Sequence, residues 1–135
     1  MIKETALALG YEEVLFLDDT AKDDDVIGRC CDYHLYHRDY SVAVAAFGNN
    51  KTRLFWTQKL LEEEYEVPAI VHPSAIVSPS VRLEPGCFIM QRAVVNMNTT
   101  IKMAALINSG AVVDHDSIVE EGAHVGLGSV VKAHC

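Results

Sequence analysis

No apolar run in the 135-residue chain approaches the ~20 residues of a membrane-spanning helix. The N-terminus also lacks a basic stretch followed by an apolar core, so neither a membrane insertion nor a secretory leader is expected. Basic residues are scarce: 11 Lys and Arg face 19 Asp and Glu, for a net charge of −8. That balance argues against nucleic acid and anionic membrane surfaces as partners. Cysteine is sparse as well. Cys30 and Cys31 are adjacent, Cys87 stands alone and Cys135 is terminal, so no metal-binding spacing appears, and reduced thiols in a cytoplasmic protein are expected. Hydrophobic residues make up 50% of the chain, enough for one compact unit or two small ones.

The dominant pattern begins at Ala69. Cut every six residues, 69–134 reads AIVHPS AIVSPS VRLEPG CFIMQR AVVNMN TTIKMA ALINSG AVVDHD SIVEEG AHVGLG SVVKAH, eleven hexads without a gap. The third position is aliphatic in every hexad, from Val71 to Val131, and the first is always Ala, Val, Cys, Thr or Ser. Side chains alternate along a strand, so positions one and three share a face and point inward. Positions four to six carry Pro73, Pro79, Pro85 and many Gly, Asn and Asp, which tolerate corner geometry. A fixed period this short predicts a parallel β-helix, with three hexads in a coil of about 18 residues and about 3.7 coils in all.

Ahead of the repeat, residues 3–9 predict a short helix closed by Gly10, and Val14–Leu17 a short strand ending in Asp18 and Asp19. Residues 29–41 show no clear period. Residues 42–47, VAVAAF, predict a buried strand followed by the turn Gly48-Asn49-Asn50. Thr52–Glu66 predicts a helix with Leu54, Phe55, Leu60 and Leu61 grouped on one side, ended by Pro68. Strands alternating with helices suggest a small parallel α/β unit over residues 1–68.

Four segments carry a resemblance to a known family: GYEEVLFLDD (10–19), FGNN (47–50), HPSAIVSPS (72–80) and INSGAVVDHDSI (107–118). With both halves in view, the chain resembles the bacterial sugar acetyltransferases of the sialic acid and bacillosamine pathways, within the hexapeptide-repeat acyltransferases. The resemblance implies a Rossmann-like α/β N-terminal subdomain over 1–68 and a left-handed β-helix over 69–135. It implies acetyl-CoA as co-substrate, no metal and a sugar or nucleotide-sugar acceptor. It also assigns roles. His115 becomes the general base and Asp116 its orienting acid. His124 contacts the reacting groups and Asn108 lies close by. Asp18 and Asp19 hold the nucleotide, and Asn49 lies near it. The family's opening strand and Gly-rich turn have no counterpart here, and its β-helix continues past the position matched by Cys135. The resemblance therefore implies either a fragment of a longer chain or a protein that has lost part of its machinery at both ends.

The leading expectation is an acetyltransferase acting on an amino or hydroxyl group of a bacterial sugar. A non-catalytic trimeric binding protein on the same scaffold is the alternative. A metal-dependent hydratase like the γ-class carbonic anhydrases needs three histidines, and His115 and His124 have no third partner nearby in sequence. His34, His37, His72 and His134 are expected to be structural or surface residues. The outward second positions form two largely apolar faces, Ile70-Phe88-Leu106-His124 and Ile76-Val94-Val112-Val130, beside a mixed face of Arg82, Thr100 and Ile118. Both apolar faces are expected to turn toward neighbouring subunits, and threefold closure into a homotrimer would hide them.

Overall fold

The computed structural model describes residues 1–135. Eleven two-residue strands, β3 to β13, follow one another at hexad spacing: Ile70–Val71, Ile76–Val77, Arg82–Leu83, Phe88–Ile89, Val94–Val95, Thr100–Ile101, Leu106–Ile107, Val112–Val113, Ile118–Val119, His124–Val125 and Val130–Val131. They form three parallel sheets in the orders β13-β10-β7-β4, β11-β8-β5 and β12-β9-β6-β3. Each strand pairs with the one a full coil away, as Val94 does with Val112. The chain is thus a parallel β-solenoid, as the hexads predict.

The inward positions behave as expected. At position one, Cys87, Ala93, Thr99, Ala105, Ala111 and Ser117 are fully buried, and at position three Ile89, Val95, Ile101, Ile107 and Val113 form the core between the sheets. Burial pushes the Cys87 thiol up to about 12, which makes it inert at neutral pH. The third corner residue has a further property. From Gly86 to His134, every sixth position has a positive φ, and five of them are not glycine: Arg92, Asn98, Ala104, Asp116 and His134. Their N–H groups are used, since Asp116 donates to Met97 O at 3.0 Å and His134 to His115 O at 3.2 Å. The left-handed turn therefore carries each corner around and stitches it to the coil below.

The N-terminal part differs from its sequence reading in several places. Helix α1 is Ile2–Ala8, with Gly10 at φ +97° just beyond it. The strand expected over 14–17 shortens to β1, Phe16–Leu17, which pairs in parallel with β2, Val26–Gly28. The 29–41 stretch contains a 3₁₀ helix, Cys30–Leu35. Residues 42–47 do not form the expected strand: the only pairing is one bridge, Val42 to Glu66. The reason is the neighbourhood. An open, mainly apolar groove of about 590 Å³ separates Val44–Phe47 from β1, so no second backbone lies within pairing distance. What is present is a two-stranded parallel sheet flanked by helices. No helix is long and apolar enough to cross a membrane.

Helix α2 is Asn50–Glu62 rather than Thr52–Glu66. It starts earlier because the Asn49 side chain caps it by accepting from Thr52 N at 3.0 Å. It ends at Glu62 because Glu64 turns left-handed, φ +62°, before Pro68 is reached. The helix lies over one column of corners, Gly86, Ala104 and Gly122. A Cβ on Gly86 would come within 2.8 Å of Thr57 Cγ2, and one on Gly122 within 3.2 Å of Asn50 O. Arg53 fastens the helix there. It is 1% exposed and donates to Ala104 O (2.7 Å), Gly122 O (2.9 Å), Phe47 O (2.9 Å) and Asn50 Oδ1 (3.0 Å). Burial lowers its pKa, yet guanidinium basicity keeps it charged.

One expectation about surfaces is corrected here. Ile70, Phe88 and Leu106 are buried within the chain itself, against Ile2 of α1 and Val44. That apolar face is covered by the N-terminal part and does not need a neighbouring subunit. On the Ile76-Val94-Val112-Val130 face, Ile76 is 67% and Val130 69% exposed.

Two substitutions test the docking of α2. Arg53→Met leaves several buried carbonyls unpaired, and denaturant unfolding is expected to show a loss of about 2–4 kcal/mol. Thr57 Oγ1 is buried without a hydrogen-bond partner. Thr57→Val keeps the shape and removes that unpaired hydroxyl, so it is expected to stabilise by about 1 kcal/mol in the same measurement.

Candidate active site

The corner between β10 and β11 places Asp114, His115 and Asp116 in sequence along one turn. Valine at 112 and 113 ends the strand, and Ser117 re-enters the core. Asp114 is held by two bonds to its Oδ1: Asn96 Nδ2 at 2.8 Å from the coil below, and His115 N at 2.9 Å. These bonds, with Asn96 the stronger, hold its carboxyl below the usual range. Asp116 Oδ2 stands 2.7 Å from His115 Nδ1, while Asn98 Nδ2 donates to Asp116 Oδ1 at 3.0 Å. The His115 bond first, then that from Asn98, lowers the Asp116 carboxyl. The same hydrogen bond raises the His115 pKa above its ordinary value, with Asp114 and Asp116 adding attraction.

A carboxylate on Nδ1 fixes the ring tautomer. Nδ1 carries the hydrogen, and Nε2 carries the lone pair. The side chains are 43% and 39% exposed, so the pair opens to solvent. The arrangement is that of a general base with its orienting acid. His134 also meets it. Its ring stands edge-on to His115 with centroids 5.2 Å apart.

His124 and Asn108 form a separate pair. Asn108 Oδ1 accepts from Ser109 N at 2.8 Å, which turns its Nδ2 toward His124 Nε2 at 3.0 Å. His124 Nε2 is therefore the acceptor, and the ring is exposed on β12. Within the chain, no hydrogen bond joins this pair to the His115 pair.

Asp18, Asp19 and Asn49 hold local structure. Asp18 Oδ1 accepts from Thr20 N (2.8 Å), Thr20 Oγ1 (2.9 Å) and Ala21 N (2.9 Å), and these bonds, that from Ala21 foremost, lower its pKa. Asp19 Oδ1 accepts from Cys30 N at 3.0 Å and so caps the 3₁₀ helix. Asn49 caps α2. Each aspartate keeps its second oxygen free of any bond within the chain.

Sequence reading missed three partners of His115 and its flanking acids. Asn96, Asn98 and His134 stand one coil from Asp114, Asp116 and Asp116 respectively, 18 residues away in each case. Counting in coils along the repeat would have found them.

No protein-family model matches the chain. Among solved structures it is similar to a histidine-to-alanine variant of GDP-perosamine N-acetyltransferase from Caulobacter crescentus in complex with CoA and GDP-perosamine. The identity is 29% over 96% of this chain, with a TM-score of 0.90. The chain spans 64% of that protein's length. It is also similar to the acetyltransferase domain of PglB from Neisseria gonorrhoeae in complex with acetyl coenzyme A. That match has 26% identity, covers 98% of this chain and 76% of that one, and has a TM-score of 0.74. The same domain without the named ligand gives a TM-score of 0.71 at 26% identity, covering 98% of this chain and 77% of that one. The chain's likeness, in fold and in sequence, is thus to a bacterial GDP-perosamine N-acetyltransferase and to a bacterial acetyltransferase domain.

Proposed function

We propose that the chain carries the site of an acetyl-CoA-dependent acetyltransferase acting on an amino or hydroxyl group of a bacterial nucleotide sugar. The observation that carries this reading is the His115–Asp116 pair, with Nδ1 on the carboxylate at 2.7 Å and Nε2 free on an exposed corner. Likeness to a GDP-perosamine N-acetyltransferase solved with CoA and to an acetyltransferase domain solved with acetyl coenzyme A supports it. His115 Nε2 takes the proton from the acceptor nitrogen or oxygen as that atom attacks the thioester carbonyl. The tetrahedral intermediate then collapses with cleavage of the C–S bond, and the departing coenzyme A thiolate takes the proton from the imidazolium. Asp116 stabilises the imidazolium that forms, and backbone N–H groups receive the developing oxyanion. The reaction needs no metal.

The finer assignments belong to the same reading. The solenoid is left-handed, residues 1–68 are a partial Rossmann-like domain, and 69–135 form the solenoid domain. His124 and Asn108 contact the reacting groups. The free oxygens of Asp18 and Asp19, with Asn49 nearby, hold the nucleotide. The protein works in the cytoplasm as a homotrimer. The exposed Ile76–Val130 column supports that assembly, because it is an apolar strip with no cover inside the chain. Light scattering is expected to give three times the chain mass, and a stable monomer at micromolar concentration would contradict it.

General base catalysis contributes about 10²–10⁴ in rate, so His115→Ala should lower kcat at least ~100-fold with the assembly intact, and Asp116→Ala less. Steady-state kinetics against UDP- and GDP-amino sugars checks this, and near-normal kcat in an active His115→Ala form refutes the mechanism.

The raised His115 pKa makes a further test. Its sign is that of a group favoured when charged: the stabilisation by Asp116 is present below about pH 6.5 and fades as pH rises through the folded value. NMR titration should place the His115 midpoint above that of a free imidazole. Asp116→Asn should lower the midpoint, and with it the acidic limb of the rate profile. An unmoved midpoint would show that the carboxylate does not tune the ring.

A further inference from the structure

The acetyl-transfer reading leaves one neighbour of the pair without a role. His134 occupies the same corner as Asp116, one coil further on, and its ring meets His115 edge-on at 5.2 Å and 89°. One ligand atom from each of His115, Asp116 and His134 lies within 4.8 Å of the other two. We propose that these three side chains bind a single divalent transition-metal ion of the zinc class.

The donor set is two imidazole nitrogens and one carboxylate oxygen. Zinc and its neighbours accept such a set, whereas calcium and magnesium require oxygen shells. Ligand atoms about 2.1 Å from one ion stand about 3.4 Å apart in a tetrahedral site. Closing from the 4.8 Å spacing takes a shift of up to about 1.4 Å, which a rotation of the exposed His134 ring supplies. The backbone beneath is already fixed, since His134 N donates to His115 O at 3.2 Å. Asn98 Nδ2 holds Asp116 Oδ1 and leaves Oδ2 on the side of His115, the kind of outer support that orients a metal-binding carboxylate. Three protein ligands leave a fourth position for water.

The consequence for activity rests on the reading of His115 as the base. A neutral imidazole has one basic lone pair. An ion shared with Asp116 Oδ2 sits on His115 Nδ1, so the ring hydrogen moves to Nε2. That nitrogen then has no lone pair for the acceptor's proton, and the filled site blocks transfer. Only coordinate bonds form. A neutral ring gives up no net proton, and an imidazolium first releases one to solvent.

The test is calorimetric titration of zinc chloride into the full chain carrying Cys31→Ser and Cys135→Ser, which removes the exposed thiols as competing ligands. One ion per chain is expected. His134→Ala should weaken binding at least about tenfold, and His72→Ala should leave it unchanged. Cobalt(II) absorption provides a second readout of the same coordination. No binding in the parent chain, or equal affinity in His134→Ala, overturns the site. In acetyl-transfer assays zinc should inhibit the parent and spare His134→Ala. Zinc binding that depends on His134 but leaves transfer at full rate upholds the metal site and overturns the base role of His115.

Discussion

The parallel pairing of each strand with the strand 18 residues away is the constraint on which everything else in the C-terminal half depends. It is a backbone ladder, so it sets distances that side chains inherit. Asn96 reaches Asp114, Asn98 reaches Asp116 and Lys102 reaches Glu120, all 18 residues apart. His115 is oriented because Asp116 is oriented, and Asp116 is oriented because the coil below presents an amide at the right height. The inward aliphatics matter to the site for the same reason. They fill the prism and keep the ladder straight, and no loop intervenes between core and chemistry.

Arg53 ties the N-terminal half to this prism, beside the apolar cover that Ile2 and Val44 give to Ile70, Phe88 and Leu106. A buried guanidinium with no carboxylate partner is held by carbonyl dipoles and one amide, and those acceptors come from both halves of the chain. Small residues at 86, 104 and 122 let the helix approach closely enough for the bonds to form. The groove beside Val44–Phe47, lined also by Trp56 and Leu60 of α2, is mainly apolar. Cohesion in this half is therefore uneven: tight where α2 meets the corners, open where the 42–47 segment faces β1.

Much of this was legible in the residues. The hexads fixed the solenoid, its inward positions and the exposed place of His124, because period and burial are both local consequences of alternation. The DHD corner was legible for the same reason. The strand expected at 42–47 was not borne out, because a strand needs a partner and VAVAAF says nothing about who is adjacent. The ends of α2 were missed because capping by Asn49 and the left-handed Glu64 outweigh the apolar spacing and Pro68. The two-face argument for assembly failed on one face, since the sequence of the sheet does not reveal that α1 lies across it. His134 was passed over as a surface residue because its significance comes from His115, just over a whole coil away in sequence.

The left-handed sixth residue of each hexad has a consequence for how such a molecule changes. Every coil offers the same three corners at the same heights, so a side chain placed at one coil has an equivalent socket one coil above and below. Asn96 and Asn98 occupy, one level down, the sockets that Asp114 and Asp116 fill. Chemistry on this scaffold is addressed by level rather than by neighbourhood. A reactive group can migrate along the axis by a few point substitutions, with the backbone unaltered, while a single inserted residue in a coil would scramble every address above it.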